Sequence, residues 1–559
     1  MLTVFLNWLY MLFTLFCMGF AFSKFSEKAL GYSLKRVESI LLAGVVASTV
    51  YAQIFSLFYR VNIEANIILL VFCAVVCVCM GKEMAGVLKR SWQGSSAAYK
   101  ILLLFLFLVW GFFTSRGYRV PDMDLYHGQS IRWIEEYGAV KGIGNLHGRF
   151  GYNSSLFAIS ALYSMKFLLG RSMHAVNGLI AFLLSVNALE LGKCFRRRKM
   201  LLSDYARAGA VYYLSIIWNE VIAPSSDYAV MCVIFFIVIK WLTQLEADEE
   251  EQRNNIIPYG LLCVLGAYAI TLKLSAGLIL LLLLKPAYVL LKEKKWKEIC
   301  IFLLMGLITA VPWMVRTVFI TGWLIYPFAA LDLFQADWKI TDVGAIRTDA
   351  FQIEIWAKGA NHLGVNAAFS QWFPNWFQNE LFTTEKLLIA ADIASCAITV
   401  GSGAVICVRR QRQKADRLLV CATVMCCYLF WQFSAPMMRY GYAHVLLLAA
   451  LSIGCVLESR HFHRKLAVAA YGFLMLYGVY KLYMGYDYML GCCRLPFYVW
   501  QETYESYELE QYEIDGVVIY YSPSGGGVGY DLFPAIPTAE YGAELRGEGI
   551  KDGFREKRD

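Results

Sequence analysis

Apolar stretches of helix length recur along almost the whole chain, and this constrains its fold more than any other feature. Leu2–Phe22, Ile40–Phe58, Ala65–Met80 and Ile101–Thr114 open the series, and Leu418–Phe433, Gly441–Leu457 and Leu466–Met484 close it. A helix is the one single-segment shape that satisfies its own backbone polar groups in lipid, and a span takes about 20 apolar residues. With 58% hydrophobic and only 17% charged residues, the composition is that of an integral membrane protein rather than a soluble one with a large core. The expectation is an all-α polytopic bundle of about fourteen crossings.

The net charge of +8 does not indicate nucleic-acid binding. Lys and Arg gather in short loops between apolar stretches, at Lys24–Arg36, Lys82–Lys100, Lys193–Lys199, Lys285–Lys297, Arg409–Arg417 and Arg460–Lys465. Basic short loops stay cytoplasmic, which puts Arg116–Ser155, Thr321–Glu385 and the C-terminal Asp487–Asp559 on the outer side. Ser155–Leu169 and Ala175–Leu191 cannot then both cross. Ser155–Leu169 is expected to be re-entrant or to lie along the outer face. The C-terminal stretch VVIYYSPSGGGVGYDLFPAIPT reads as short strands and Gly/Pro turns, a small segment that packs over the outer face.

The loop Arg116–Ser155 is the longest polar interruption in the first part of the chain, and long ordered loops are usually functional. It holds Asp122 and Asp124, His127 and His147, and Arg149. Pro121 is expected to break the preceding structure and leave Asp122 on a turn. Asp124 then caps a helix Leu125–Tyr137 that lies in the membrane interface, with Trp133 and its tyrosines at headgroup depth.

Further charges stand at the outer ends of apolar helices. Asp227 follows Ala-Pro-Ser-Ser, Lys273 sits in ITLKLSAG, Arg316 in PWMVRTVFITGW, and Arg439 follows Ala-Pro-Met-Met. Each has a plain reading: a snorkelling cation or a helix cap. Together with Arg149 and the acidic pair they form one set at one membrane face, and ionisable groups at such depth face a cavity or a partner. Cations beside carboxylates suit a phosphate-bearing, membrane-bound substrate. The chemistry this set supports is glycosyl transfer, with a carboxylate as general base and cations on the leaving phosphate. Alternatively Asp122 and Asp124 hold a divalent cation, magnesium or manganese, through hard oxygen ligands. His127, one turn from Asp124, is a candidate for positioning substrate.

PDMDLYHGQSIRWIEEYG with GNLHGRFGYNSS, and the APSSD stretch ending in Asp227, resemble the first-loop acidic motif and Pro/Asp turn of the GT-C superfamily of membrane glycosyltransferases. The resemblance implies a polyprenyl-phosphate-linked sugar donor, an extracytoplasmic acceptor in the cell envelope and a site on the outer face of the cytoplasmic membrane. It implies a catalytic carboxylate at Asp122 or Asp124; Asp122 is preferred because the family's acid tends to precede a tyrosine by about four positions, here Tyr126. The implied division is an N-terminal three-helix extension (1–100), a GT-C-like bundle (101–484) and a small extracytoplasmic segment (485–559). Two other readings fit the pattern: a transporter or flippase of lipid-linked or anionic substrates, and an O-antigen ligase or polymerase-like protein that uses Arg347, Lys358 and His362 of the late loop.

Overall fold

The computed structural model describes residues 1–251, 255–328, 330–359, 367–409, 415–457, 498–540 and 542–557, with single positions between 472 and 484. The expected helix Leu466–Met484 and the basic loop Arg460–Lys465 lie largely outside the described residues, as does His362. Ten described helices are long and apolar enough to cross a membrane, and the chain is a multi-pass membrane protein. Ser155–Leu169, Val176–Gly192 and Ile257–Leu272 are shorter apolar helices. Ser226–Glu251 runs through the centre, 83% buried over its most apolar window, whereas Ala97–Ser115 and Trp296–Thr321, at 22%, present their side chains outward. That difference is the signature of a bundle whose rim is solvated by lipid.

The N-terminal helices share the main core with the rest of the bundle. Trp8 Nε1 donates to the Ala175 carbonyl at 3.0 Å and Asn7 Nδ2 to that of Tyr163 at 2.8 Å. The backbones of helices Leu2–Leu30 and Val37–Phe58 meet closely: a Cβ on Gly44 would lie 1.9 Å from the Leu15 carbonyl oxygen.

The loop Arg116–Ser155 differs from the sequence expectation. Pro121 does not end structure; it starts a helical run that passes through a π-turn at Met123–His127 into the helix Gly128–Glu136. A proline lacks an N–H that the first helical position would leave unused, and its fixed φ suits that position. Nor is Trp133 free to face lipid headgroups: it is buried because the C-terminal segment lies over it, its ring 4.8 Å from Phe533 and 6.1 Å from Phe554.

That segment contains a three-stranded sheet, β1 (Glu510–Ile514), β2 (Val517–Tyr521) and β3 (Ala535–Ile536), and a pair, β4 (Ala543–Leu545) with β5 (Phe554–Glu556). β1 and β2 are antiparallel, joined by Asp515 and Gly516 at φ 48° and 85°. Two positive φ angles are what a two-residue type I′ hairpin needs. Gln129 Nε2 donates to the Gly529 and Leu532 carbonyls, and Phe554 N to that of Lys141 at 2.9 Å. Leu2 N and Thr3 N donate to the carbonyls of Tyr498 and Val499 at 2.8 and 3.0 Å. The chain's beginning, the loop and the C-terminal sheets therefore share one face, called the loop face below.

Ser155–Leu169 has both ends on that face. Ser154 Oγ donates to the Leu272 carbonyl, Lys166 pairs with Glu136, and Ser172 Oγ donates to Glu135 Oε1 at 2.7 Å. The described basic loops gather on the opposite face in a set of ion pairs: Lys24–Glu83 at 2.6 Å, Arg36–Glu190 at 2.7 Å, Lys240–Glu38 at 2.8 Å, Arg417–Glu249 at 2.6 Å and Lys285–Asp416 at 2.7 Å.

Candidate functional site

Helix boundaries supply the site. Asp122 stands in the first turn after Pro121, Asp227 in the first turn of Ser226–Glu251, Lys273 where Ile257–Leu272 ends in an extended residue, and Arg439 at the start of Met438–Leu457. Ala-Pro-Ser-Ser and Ala-Pro-Met-Met precede two of these starts; a proline there disfavours helix in the residue before it and lets a new axis begin. Ends rather than middles of helices carry the charges, because an end brings free backbone groups and solvent within reach.

The four residues form one ionic chain. Arg439 Nη2 donates to Asp122 Oδ2 at 2.7 Å, and its Nε lies 3.0 Å from Asp227 Oδ2 without the alignment of a hydrogen bond. Lys273 Nζ donates to Asp227 Oδ1 and sits 3.4 Å from the centroid of the Tyr440 ring. Arg149 lies over the Tyr126 ring at 5.9 Å. All of these residues line a cavity of about 720 Å³. Its described charged lining is Arg149, Lys273 and Arg439 against Asp122 and Asp227, a surplus of one positive charge. Tyr152, Trp313, Tyr326, Trp356, Phe430 and Trp431 supply an aromatic wall.

Burial pushes the Asp122 carboxyl up, but the charges of His127, Arg439 and Arg149 outweigh it and hold the group below its usual range. Burial pushes His127 itself down to about 4, so that ring is neutral at pH 7 and the guanidinium of Arg439 is the effective partner. Asp122 is thus an anion, with its second oxygen not committed to Arg439. His127 is buried against Phe157, and its Nδ1 has no hydrogen-bond partner among the described residues.

Asp122, His127, Arg149, Asp227, Lys273 and Arg439, all singled out from sequence, are brought together in this cavity. Asp124 and Arg316 are not among its lining. Asp124 faces the C-terminal segment: its Oδ1 accepts from Glu505 N at 3.3 Å and its carbonyl from Val528 N and Gly529 N at 2.8 and 2.9 Å. Burial raises its carboxyl. Arg316 is buried and donates to Asn153 Oδ1 at 3.2 Å and to Ser56 Oγ at 2.5 Å; Asn153, not Arg316, reaches the cavity. With Asp122 on Arg439 and Asp124 on Glu505, the two carboxylates do not form a paired ligand set for a divalent ion. Among the described residues no group of three or more His, Cys, Asp or Glu has metal-site geometry.

Sequence reasoning missed Asn153, Tyr440 and His444, which also line the cavity. Tyr440 had a usable signal, as the neighbour of Arg439 at a helix start. His444, one turn further on, reads as an ordinary apolar-helix residue and gave none.

No curated protein and no solved structure matches the chain. One family model, described as Domain of unknown function (DUF8201), matches residues 1–446, a span that holds every site residue from Asp122 to His444 and leaves the C-terminal sheets outside, and the chain belongs to that family.

Proposed function

We propose that the protein is a GT-C-type membrane glycosyltransferase that moves a sugar from a polyprenyl-phosphate-linked donor to an extracytoplasmic acceptor. The observation that carries this reading is the single cavity fronted by an ionised carboxylate and three cations, with an aromatic wall. Cations give a donor phosphate its counter-charge, and aromatic faces suit sugar rings and prenyl chains. The gathering of the described basic loops on the opposite face supports an extracytoplasmic loop face.

In this reading the acceptor hydroxyl oxygen attacks the anomeric carbon, the bond from that carbon to the phosphate oxygen breaks, and the lipid phosphate leaves as an anion beside Arg439, Lys273 and Arg149. The hydroxyl proton goes to Asp122. Arg439 keeps Asp122 charged but weakens it as a base; a donor phosphate that draws Arg439 toward itself restores its basicity.

The test is transfer from a lipid-linked sugar by purified protein, comparing wild type with Asp122→Asn. Transfer that is unchanged in the variant, with the chemical step limiting, removes Asp122 from the reaction. Sidedness is read by maleimide labelling of Tyr118→Cys and Arg90→Cys on a background without native cysteines. Both positions are exposed; labelling of Tyr118→Cys from the cytoplasmic side only would overturn the topology.

A further inference from the structure

A second cavity of about 690 Å³ opens on the opposite face, and the proposed reaction does not use it. Three helices supply most of its apolar wall. Leu42, Val46 and Val50 form one stripe of Val37–Phe58, Leu261 and Leu265 one stripe of Ile257–Leu272, and Met305 and Thr309 one stripe of Trp296–Thr321. Residues four apart on a helix share a face, so each helix turns a continuous side toward the same volume. Ile308, at its edge, is 50% exposed, and the cavity therefore communicates with the space a lipid chain occupies.

The polar end is cationic. Lys35, Arg36, Lys240 and Arg207 line it, with Asp248 and Glu251 opposite. The carboxylates behind these cations are shared. Glu38 serves both Arg36 and Lys240, and Glu190 serves Arg36 and Lys193 with Arg207 at 3.8 Å. Asp248 is already taken by Gln244 and Tyr259. Lys35 has no carboxylate partner among the described residues. Arg207 is 3% exposed; Ser203, Asp204 and Thr243 take its terminal nitrogens, while its Nε has no partner among the described residues. Four cations against two carboxylates in the lining leave a surplus of two positive charges at this end, which favours an anion.

We infer that this cavity is a binding site for an anionic phospholipid, with the headgroup phosphate at Lys35 and Arg36 and an acyl chain along Leu42, Val46 and Leu265. The occupant is a membrane lipid rather than a soluble phosphate because the cationic end continues into an apolar wall that only a hydrocarbon chain fills. Thr309 in this cavity and Trp313 in the loop-face cavity are one helical turn apart on the same helix, so the lipid lies directly beneath the candidate site.

The test uses the full chain in neutral detergent. Phosphatidylglycerol is titrated against phosphatidylcholine of the same chain length and against glycerol 3-phosphate, with bound lipid counted by native mass spectrometry. A phosphatidylglycerol carrying a photoactivatable group on its chain maps the site. One saturable phosphatidylglycerol per chain is expected, cross-linked to 42–50 or 261–265. Lys35→Glu, at an exposed position, should weaken binding about tenfold to thirtyfold, and Leu265→Trp should abolish the cross-link by filling the wall. Should Leu265→Trp not fold, Lys35→Glu and the cross-link map carry the test alone. Equal binding of phosphatidylcholine, equal competition by glycerol 3-phosphate, cross-links confined to other helices, or an unchanged affinity in Lys35→Glu would each overturn the assignment.

Discussion

The two cavities are nearly equal in volume, about 720 and 690 Å³, and both have charged mouths at the ends of membrane helices, yet they are built for different tasks. On the loop face the carboxylate of Asp122 fronts the cavity beside its cations, and aromatic rings form the wall. On the opposite face the carboxylates that pair with the cations, Glu38, Glu190 and Asp204, stand outside the cavity lining, Asp248 in the lining is held by Gln244 and Tyr259, and the wall is mainly aliphatic. Buried ion pairs by themselves therefore do not mark a reactive site, since they also fasten loops. What sets the loop face apart is that its lining carboxylates, Asp122 and Asp227, pair with cations of the same lining beside an aromatic wall, on a helix pinned between the bundle and a separate layer of sheets.

The largest expected contrast is in rate. Asp122→Asn should lower transfer by about 10² to 10⁴, the usual contribution of a general base, with little change in unfolding midpoint. Glu38→Gln on the opposite face should do the reverse: turnover per folded molecule is kept, while stability falls by about 3 kcal/mol because Arg36 and Lys240 lose their shared partner. A drop in stability for both and in rate for neither would erase the distinction between the faces.

Acid should loosen the loop face. Burial pushes His127 and His147 down to about 4 and His174 to about 3. Unfolded, they titrate near 6.5, so between pH 6.5 and 4 the unfolded chain binds more protons and stability rises with pH. On acidification through that window each histidine removes up to about 1.4 kcal/mol per pH unit. Asp122, held below the usual carboxylate range, adds to the loss at lower pH still. His127→Gln should flatten the slope measured in detergent by denaturant unfolding; a slope equal to wild type would mean that His127 is not buried neutral.

The smallest contrast compares two glycines of positive φ. Gly31, on the opposite face at φ 68°, has nothing within 4 Å of an added Cβ, while at Gly142, φ 66°, a Cβ would lie 2.0 Å from the Phe554 carbonyl oxygen. Gly31→Ala should therefore lose only the backbone term, about 1 kcal/mol. Gly142→Ala should lose more and release the C-terminal sheets to limited proteolysis. Equal stability of the two variants would mean that the sheets do not bear on the loop.

Much of this contrast was legible in the sequence. Asp227, Lys273 and Arg439 were visible because charges at the ends of apolar stretches are expensive and so report a partner or a cavity. Arg316 was equally visible, but sequence gives depth and not azimuth; Ser56 and Asn153 claim it from another side of its helix. Pro121 was misread because a proline breaks a helix interior yet begins a helix well, and only the residues after it decide which. Trp133 looked interfacial by type, since nothing local revealed that Phe533 and Phe554, some 400 residues later, would cover it. The strands around Asp515-Gly516 were readable from turn chemistry, whereas their docking depended on contacts too distant to leave a local pattern.

One of those distant contacts bears on biosynthesis. The backbone of Leu2 and Thr3 pairs with Tyr498 and Val499, and a ribosome delivers these partners at opposite ends of its work. The first helix enters the bilayer roughly half a minute to a minute and a half of translation before the segment that fastens its head exists. Closure of so large a loop is entropically slow. The loop face is thus the last part of the molecule to mature, so a ribosome stalled anywhere short of residue 498 leaves a nascent bundle with an unsealed loop face for quality-control proteases to recognise.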